Sequence, residues 1–173
     1  RWIHWRILDV EVCGLVEAAA DRVVAVREEL RAAGARGCGI PAFESLRVES
    51  GTPLFSRDFG DETLPQEVGR DELAISFTKG CYLGQETVAR IDALGHVNQQ
   101  LVGVRWMGPT IPASDTELSS GGVAAGRVKS IVYSPRLKAP LGFAMVRRSS
   151  ASPGTKLDSG DGPAEIVDLP IVA

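Results

Sequence analysis

The hydrophobic rhythm of the chain changes once, near Gly95. Before that point helical and extended patterns are mixed. After it, short apolar runs recur between Gly, Pro and Ser turns. Ile3, Trp5 and Ile7 alternate with His4 and Arg6, a period of two that predicts a strand extending towards Val12. Over residues 15–33 the period lengthens. Val16, Ala19, Ala20, Val23, Val24, Val26 and Leu30 form an apolar stripe, and Arg27, Glu28, Glu29 and Arg31 face away from it. That pattern predicts an amphipathic helix stopped by Gly34 and Gly37. Residues 40–46 predict a short helix with Pro41 near its first turn, and Arg47-Val48-Glu49 reads as extended. Residues 55–72 read as an acidic loop, and residues 73–77 as a short strand or extended entry. Good helix formers without Pro over 85–93 predict a further helix closed by Gly95.

Beyond Gly95, residues 101–106, 123–132, 141–146 and 166–171 read as strands separated by turn-rich segments. Short strands at this spacing predict a small antiparallel barrel or sandwich. The expected fold class is α+β, with an α+β lobe over residues 1–95 and a β-barrel over residues 96–173. No low-complexity linker divides them, so they are expected to pack together.

Composition narrows the functions available. The chain has 173 residues, 44% hydrophobic and 24% charged, enough for one sizeable domain or one medium and one small. A net charge of -3 argues against the broad basic surface of a nucleic-acid binder, and 6% aromatic residues argue against extended base-stacking platforms. Direct nucleic-acid binding is therefore not expected. Neither a membrane span nor a signal peptide is evident. Cys13, Cys38 and Cys81 are widely spaced, only His4 and His96 accompany them, and no metal site is expected. Reduced thiols and a cytoplasmic location are the simplest expectation. The chain starts at Arg1 rather than at Met, which suggests a piece of a longer protein.

The densest chemistry lies in Lys79-Gly80-Cys81-Tyr82-Leu83-Gly84-Gln85-Glu86, with Arg90 one turn beyond. Cys81 precedes an expected helix start and stands two residues from Lys79, and both features favour a thiolate. A reactive or cluster-contacting thiol is one reading. A small buried apolar residue is the other, and it is what most free cysteines are. Glu86 suits the first turn of a helix and is spaced to pair with Arg90. Lys79-Gly80 could grip an anion at a helix start, without the full phosphate-loop pattern. Arg47 and Glu49 would share one face of an extended segment, where the carboxylate could meet a pterin-like ring edge. A surface ion pair is the plainer account.

Lys79-Gly80-Cys81-Tyr82-x-Gly84-Gln85-Glu86 resembles the K-G-C-Y-x-G-Q-E motif of the YgfZ-type folate-binding proteins, relatives of the glycine cleavage T-protein (aminomethyltransferase). The segment from Leu46 to Pro53 is similar to the L-R-x-E-x-G-x-P element of that superfamily, and Leu64-Pro65-Gln66-Glu67 to its following P-x-E segment. The resemblance implies a folate-binding fold with a terminal barrel and tetrahydrofolate as cofactor. Glu49 matches the acidic residue facing the pterin, Arg47 the arginine beside it, and Phe55 a position where T-proteins carry tyrosine. Cys81 would be the functional thiol, with Lys79, Gly80, Tyr82, Gly84, Gln85, Glu86 and Arg90 around it. The resemblance also implies an upstream lobe that this chain lacks.

The leading expectation is a folate-binding accessory protein in iron–sulfur cluster assembly or repair, with a linked role in tRNA modification. Its partners would be folate and iron–sulfur client or assembly proteins. The alternative is a folate-dependent aminomethyltransferase of the T-protein type. A module with a vestigial pocket is the third reading.

Overall fold

A computed structural model describes residues 1–4 and 14–171. β1 (Trp2–His4) pairs antiparallel with β2 (Gly14–Val16), with Ile3 opposite Leu15. Most of the first expected strand lies outside the described residues. The long helix expected over 15–33 is shorter than the pattern suggests. Leu15 and Val16 belong to β2, a 3-10 turn spans Ala20–Arg22, and α1 runs Val23–Ala32. No residue of α1 is buried, and Val23, Val24 and Leu30 of the apolar stripe are exposed.

α2 runs Ile40–Glu49, with Pro41 in its first turn. The extended reading of Arg47-Val48-Glu49 is thus corrected: these residues form the last helical turn, which Gly51 terminates at a φ of +67°. On a helix, positions two apart point to different sides, so Arg47 and Glu49 do not share a face. Both are drawn towards the barrel because each finds buried partners there, and tertiary contacts override a weak local preference.

The expected loop over 55–72 contains a 3-10 turn, Pro65–Val68. Glu67 caps it by accepting the Leu64 N–H at 3.0 Å. Where a short strand is expected near Leu73, a single helical turn forms instead, α3 (Asp71–Ala74). α4 (Gln85–Leu94) ends at Gly95, as its sequence signals require.

The remaining strands are β3 (Gln99–Trp106), β4 (Glu117–Ser120), β5 (Val123–Ser134), β6 (Ala139–Arg147), β7 (Lys156–Ser159) and β8 (Gly162–Val167). They close into an antiparallel barrel in the order β3-β6-β5-β4-β7-β8, and the β3–β8 pairing completes the ring. The α+β class with a small antiparallel barrel is as expected. β4 and β7 are absent from the sequence reading, since each is four residues long with one buried position, Leu118 and Leu157. The last expected strand stops at Val167, and Leu169 and Ile171 beyond it pack against the barrel's outer cluster.

The pleat of β3 and β6 decides where the core sits. Val102, Val104 and Trp106 of β3, with Ala144 and Val146 of β6, point into the barrel. Leu101 of β3 and Leu141, Phe143 and Met145 of β6 point outward and pack with Val48 of α2. Covered on both faces, β6 reads as a continuous apolar run rather than an alternation. The outer cluster fixes α2 to the barrel.

Candidate functional site

The register between β5 and β6 shifts between Val128 and Ile131, and this irregularity sits where Ser130 meets α2. Gly142 makes the close approach possible. A Cβ there would fall 2.4 Å from the Ser130 carbonyl oxygen. The Ser130 hydroxyl accepts from Arg47 Nη2 at 2.6 Å. Arg47 is fully buried, pairing with Asp58 at 2.8 Å and Glu44 at 2.7 Å, and donating Nη1 to the Thr52 carbonyl. Its guanidinium also lies over the Phe143 ring, 5.9 Å from the centroid. Asp58 is fully buried too and accepts the Leu54 N–H through the oxygen that meets Arg47, while its other oxygen has no hydrogen-bond partner among the described residues.

Glu49 is engaged on the opposite side of α2. Its Oε1 accepts from the Ser134 hydroxyl at 2.5 Å and from the Arg136 N–H at 3.2 Å, and Oε2 pairs with the Arg136 guanidinium at 3.3 Å. The Glu49 backbone carbonyl accepts the Ile171 N–H at 2.7 Å. Arg47 and Glu49 therefore join α2 to the barrel and to the C-terminal segment. Both charged groups are buried and held by protein partners. Phe55 is exposed and meets Phe59 edge-on, with centroids 5.7 Å apart. Sequence reasoning missed Asp58, Ser130, Ser134 and Arg136. Nothing local separates Asp58 from its acidic neighbours Asp61 and Glu62.

The Cys81 loop lies apart from this network. Gly84 caps α4 in the left-handed region at a φ of +87°, a conformation that favours glycine. Gln85 turns back so that its Oε1 accepts the Tyr82 N–H at 3.1 Å, and the Lys79 N–H donates to Ser76 Oγ. The Lys79 ammonium sits 4.3 Å from the Tyr82 ring centroid, a cation–π contact. Cys81 is exposed, as are Lys79, Gly80, Leu83, Glu86 and Arg90. The buried alternative for this thiol does not apply. Gln66 bridges this region to the 3-10 turn by donating to the Val88 carbonyl at 3.0 Å. No group of metal-ligating residues is present among the described residues, and no described helix is long and apolar enough to cross a membrane.

Residues 99–172 match the glycine cleavage T-protein C-terminal barrel domain. The match takes in all six strands of the barrel. An aminomethyltransferase of Nostoc sp. is 32% identical over 126 residues, covering 73% of this chain and 33% of its own length. An aminomethyltransferase of Streptomyces avermitilis is 30% identical over 145 residues, covering 80% of this chain and 39% of its own. The crystal structure of glycine cleavage system aminomethyltransferase T from Bartonella henselae shares the fold, with a TM-score of 0.79 at 20% identity over 88% of this chain and 44% of that one. The chain spans roughly a third of the length of these curated relatives. These likenesses support reading it as the C-terminal portion of a T-protein-like protein.

Proposed function

We propose that this chain forms the C-terminal part of a tetrahydrofolate-dependent one-carbon transferase of the aminomethyltransferase type. The match of the barrel, residues 99–172, to the T-protein C-terminal domain carries the reading. Relatives named aminomethyltransferase favour it over the iron–sulfur accessory role. Folate binding is proposed for the natural full-length polypeptide. Within this chain Arg47 and Glu49 would act by fixing α2 to the barrel, since their own charged groups are occupied. Phe55 is the member of the expected trio that is open to a ligand. The division near Gly95, with residues 96–173 as a barrel unit, is part of the same proposal. The test is methylene-tetrahydrofolate formation from an aminomethyl donor by the full-length polypeptide. Turnover supports the reading, and its absence despite tetrahydrofolate binding removes the transferase part.

The exposed thiol of Cys81, set in the K-G-C-Y-x-G-Q-E sequence, favours a second reading. In it the protein is a folate-binding accessory factor for iron–sulfur enzymes, and Cys81 is its functional group. Replacing Cys81 by Ala in cells and finding undiminished activity of iron–sulfur enzymes would dismiss that role.

A further inference from the structure

A cleft of about 850 Å³ opens between the segment after α2, the 3-10 turn with α3, and the outer face of β3 and β8. Leu101, Phe143 and Leu169 line it with apolar surface. Arg70 stands in its wall, partly buried, and donates Nη1 to the Gly51 carbonyl. Among the described residues no carboxylate forms an ion pair with Arg70. Asp168 also lines the cleft, and Arg148 is a second cation there, exposed and donating to the Gly95 carbonyl. Partial burial lowers the pKa of Arg70 from its ordinary value.

A half-buried cation is costly unless it is paired. A guanidinium has five N–H donors in a planar fork, and the Gly51 carbonyl engages one of its nitrogens. A carboxylate fits the rest of that fork. A cleft of this size with an apolar floor suits a small molecule that has one charged end. We propose that it binds a small organic carboxylate, whose apolar body rests on Leu101, Phe143 and Leu169 and whose charged end is held by Arg70. The site uses neither Cys81 nor the Arg47–Asp58 pair, and it does not depend on the transferase reading.

Calorimetric titration of the natural full-length polypeptide tests this with three probes: benzoate, its uncharged isostere benzamide, and inorganic phosphate. The expected result is saturable benzoate binding, with benzamide and phosphate each weaker by roughly tenfold or more, because one lacks the charge and the other the apolar body. Arg70→Met is expected to weaken benzoate to the benzamide level, and Arg70→Lys to restore part of the affinity. No saturable benzoate binding, or equal affinity for benzoate and benzamide, overturns the proposal, as does phosphate matching benzoate. The benzamide and phosphate comparisons need no variant, so a poorly folded Arg70→Met leaves the test intact.

Discussion

Arg47 and Asp58 meet at 2.8 Å with both side chains fully buried, one on α2 and the other in the loop that follows it. The pair ties that loop to the helix, and through Ser130 it ties the helix to β5. Removing one partner of a buried pair costs about 3–5 kcal/mol when the remaining charge is left uncompensated, and less when, as for Arg47 with Glu44, a second carboxylate remains. Asp58→Ala is therefore expected to lower unfolding stability, by less than that full amount, in chemical denaturation. A double change to apolar residues, Arg47→Met with Asp58→Leu, is expected to cost less than the single change. Equal stability of Asp58→Ala and the unaltered chain would show that the pair does not act as a unit.

Glu49 accepts hydrogen bonds from Ser134 and from the Arg136 N–H through one oxygen, and pairs with the Arg136 guanidinium through the other. Glu49→Gln replaces one acceptor by a donor at this buried junction. The expected loss is about 1–3 kcal/mol, accompanied by faster hydrogen exchange at the Arg136 amide.

Gly142→Ala would place a Cβ 2.4 Å from the Ser130 carbonyl oxygen, a backbone atom that cannot move without disturbing β5. A destabilisation of roughly 1–3 kcal/mol is expected, read from the thermal midpoint. Gly108→Ala, where a Cβ meets nothing within 4 Å, is the control.

Asp71 has its pKa raised above the ordinary 3.8, first by burial and then by the charge of Asp92. A raised folded-state value means that folding favours the protonated carboxyl. The stabilising contribution is full below 3.8 and is lost as pH rises through the higher folded-state value. At neutral pH the ionised Asp71 thus opposes folding. Asp71→Asn is expected to stabilise the chain at neutral pH, with the gain vanishing as acid protonates the native residue in both states. Denaturation curves across that pH range measure it.

Cys81 is exposed. In a Cys13→Ser, Cys38→Ser background the folded polypeptide is expected to keep a thiol that labels rapidly with a disulfide reagent, and Cys81→Ser should remove that fast phase. Slow labelling until denaturant is added would mean that the thiol is covered in the natural polypeptide.

The barrel was legible where strands are long and strongly apolar, as in 101–106 and 141–146, because burial on either face of a pleat leaves a run of hydrophobic residues. β4 and β7 were not, since a four-residue strand with one buried side chain resembles a turn. The Gly84 and Gly95 boundaries of α4 were legible because both residues adopt left-handed angles that favour glycine. The extent of α2 was not, because Arg47, Val48 and Glu49 are helical through contacts with residues as distant as Ser134.

By itself, the sequence determined the α+β class with a small barrel, the change of rhythm near Gly95, the long apolar strands over 101–106 and 141–146, and the motif around Cys81. Each depends on local periodicity or on residues with special backbone freedom. Only the tertiary structure decided the state of the charged groups. It buried Arg47 against Asp58 and turned Glu49 to Ser134. It left Cys81 in solvent and put Arg70 in a cleft wall where no carboxylate among the described residues pairs with it. The physical reason is that solvation and pairing of a charge depend on which distant segments pack around it, and spacing along the chain carries no record of that packing.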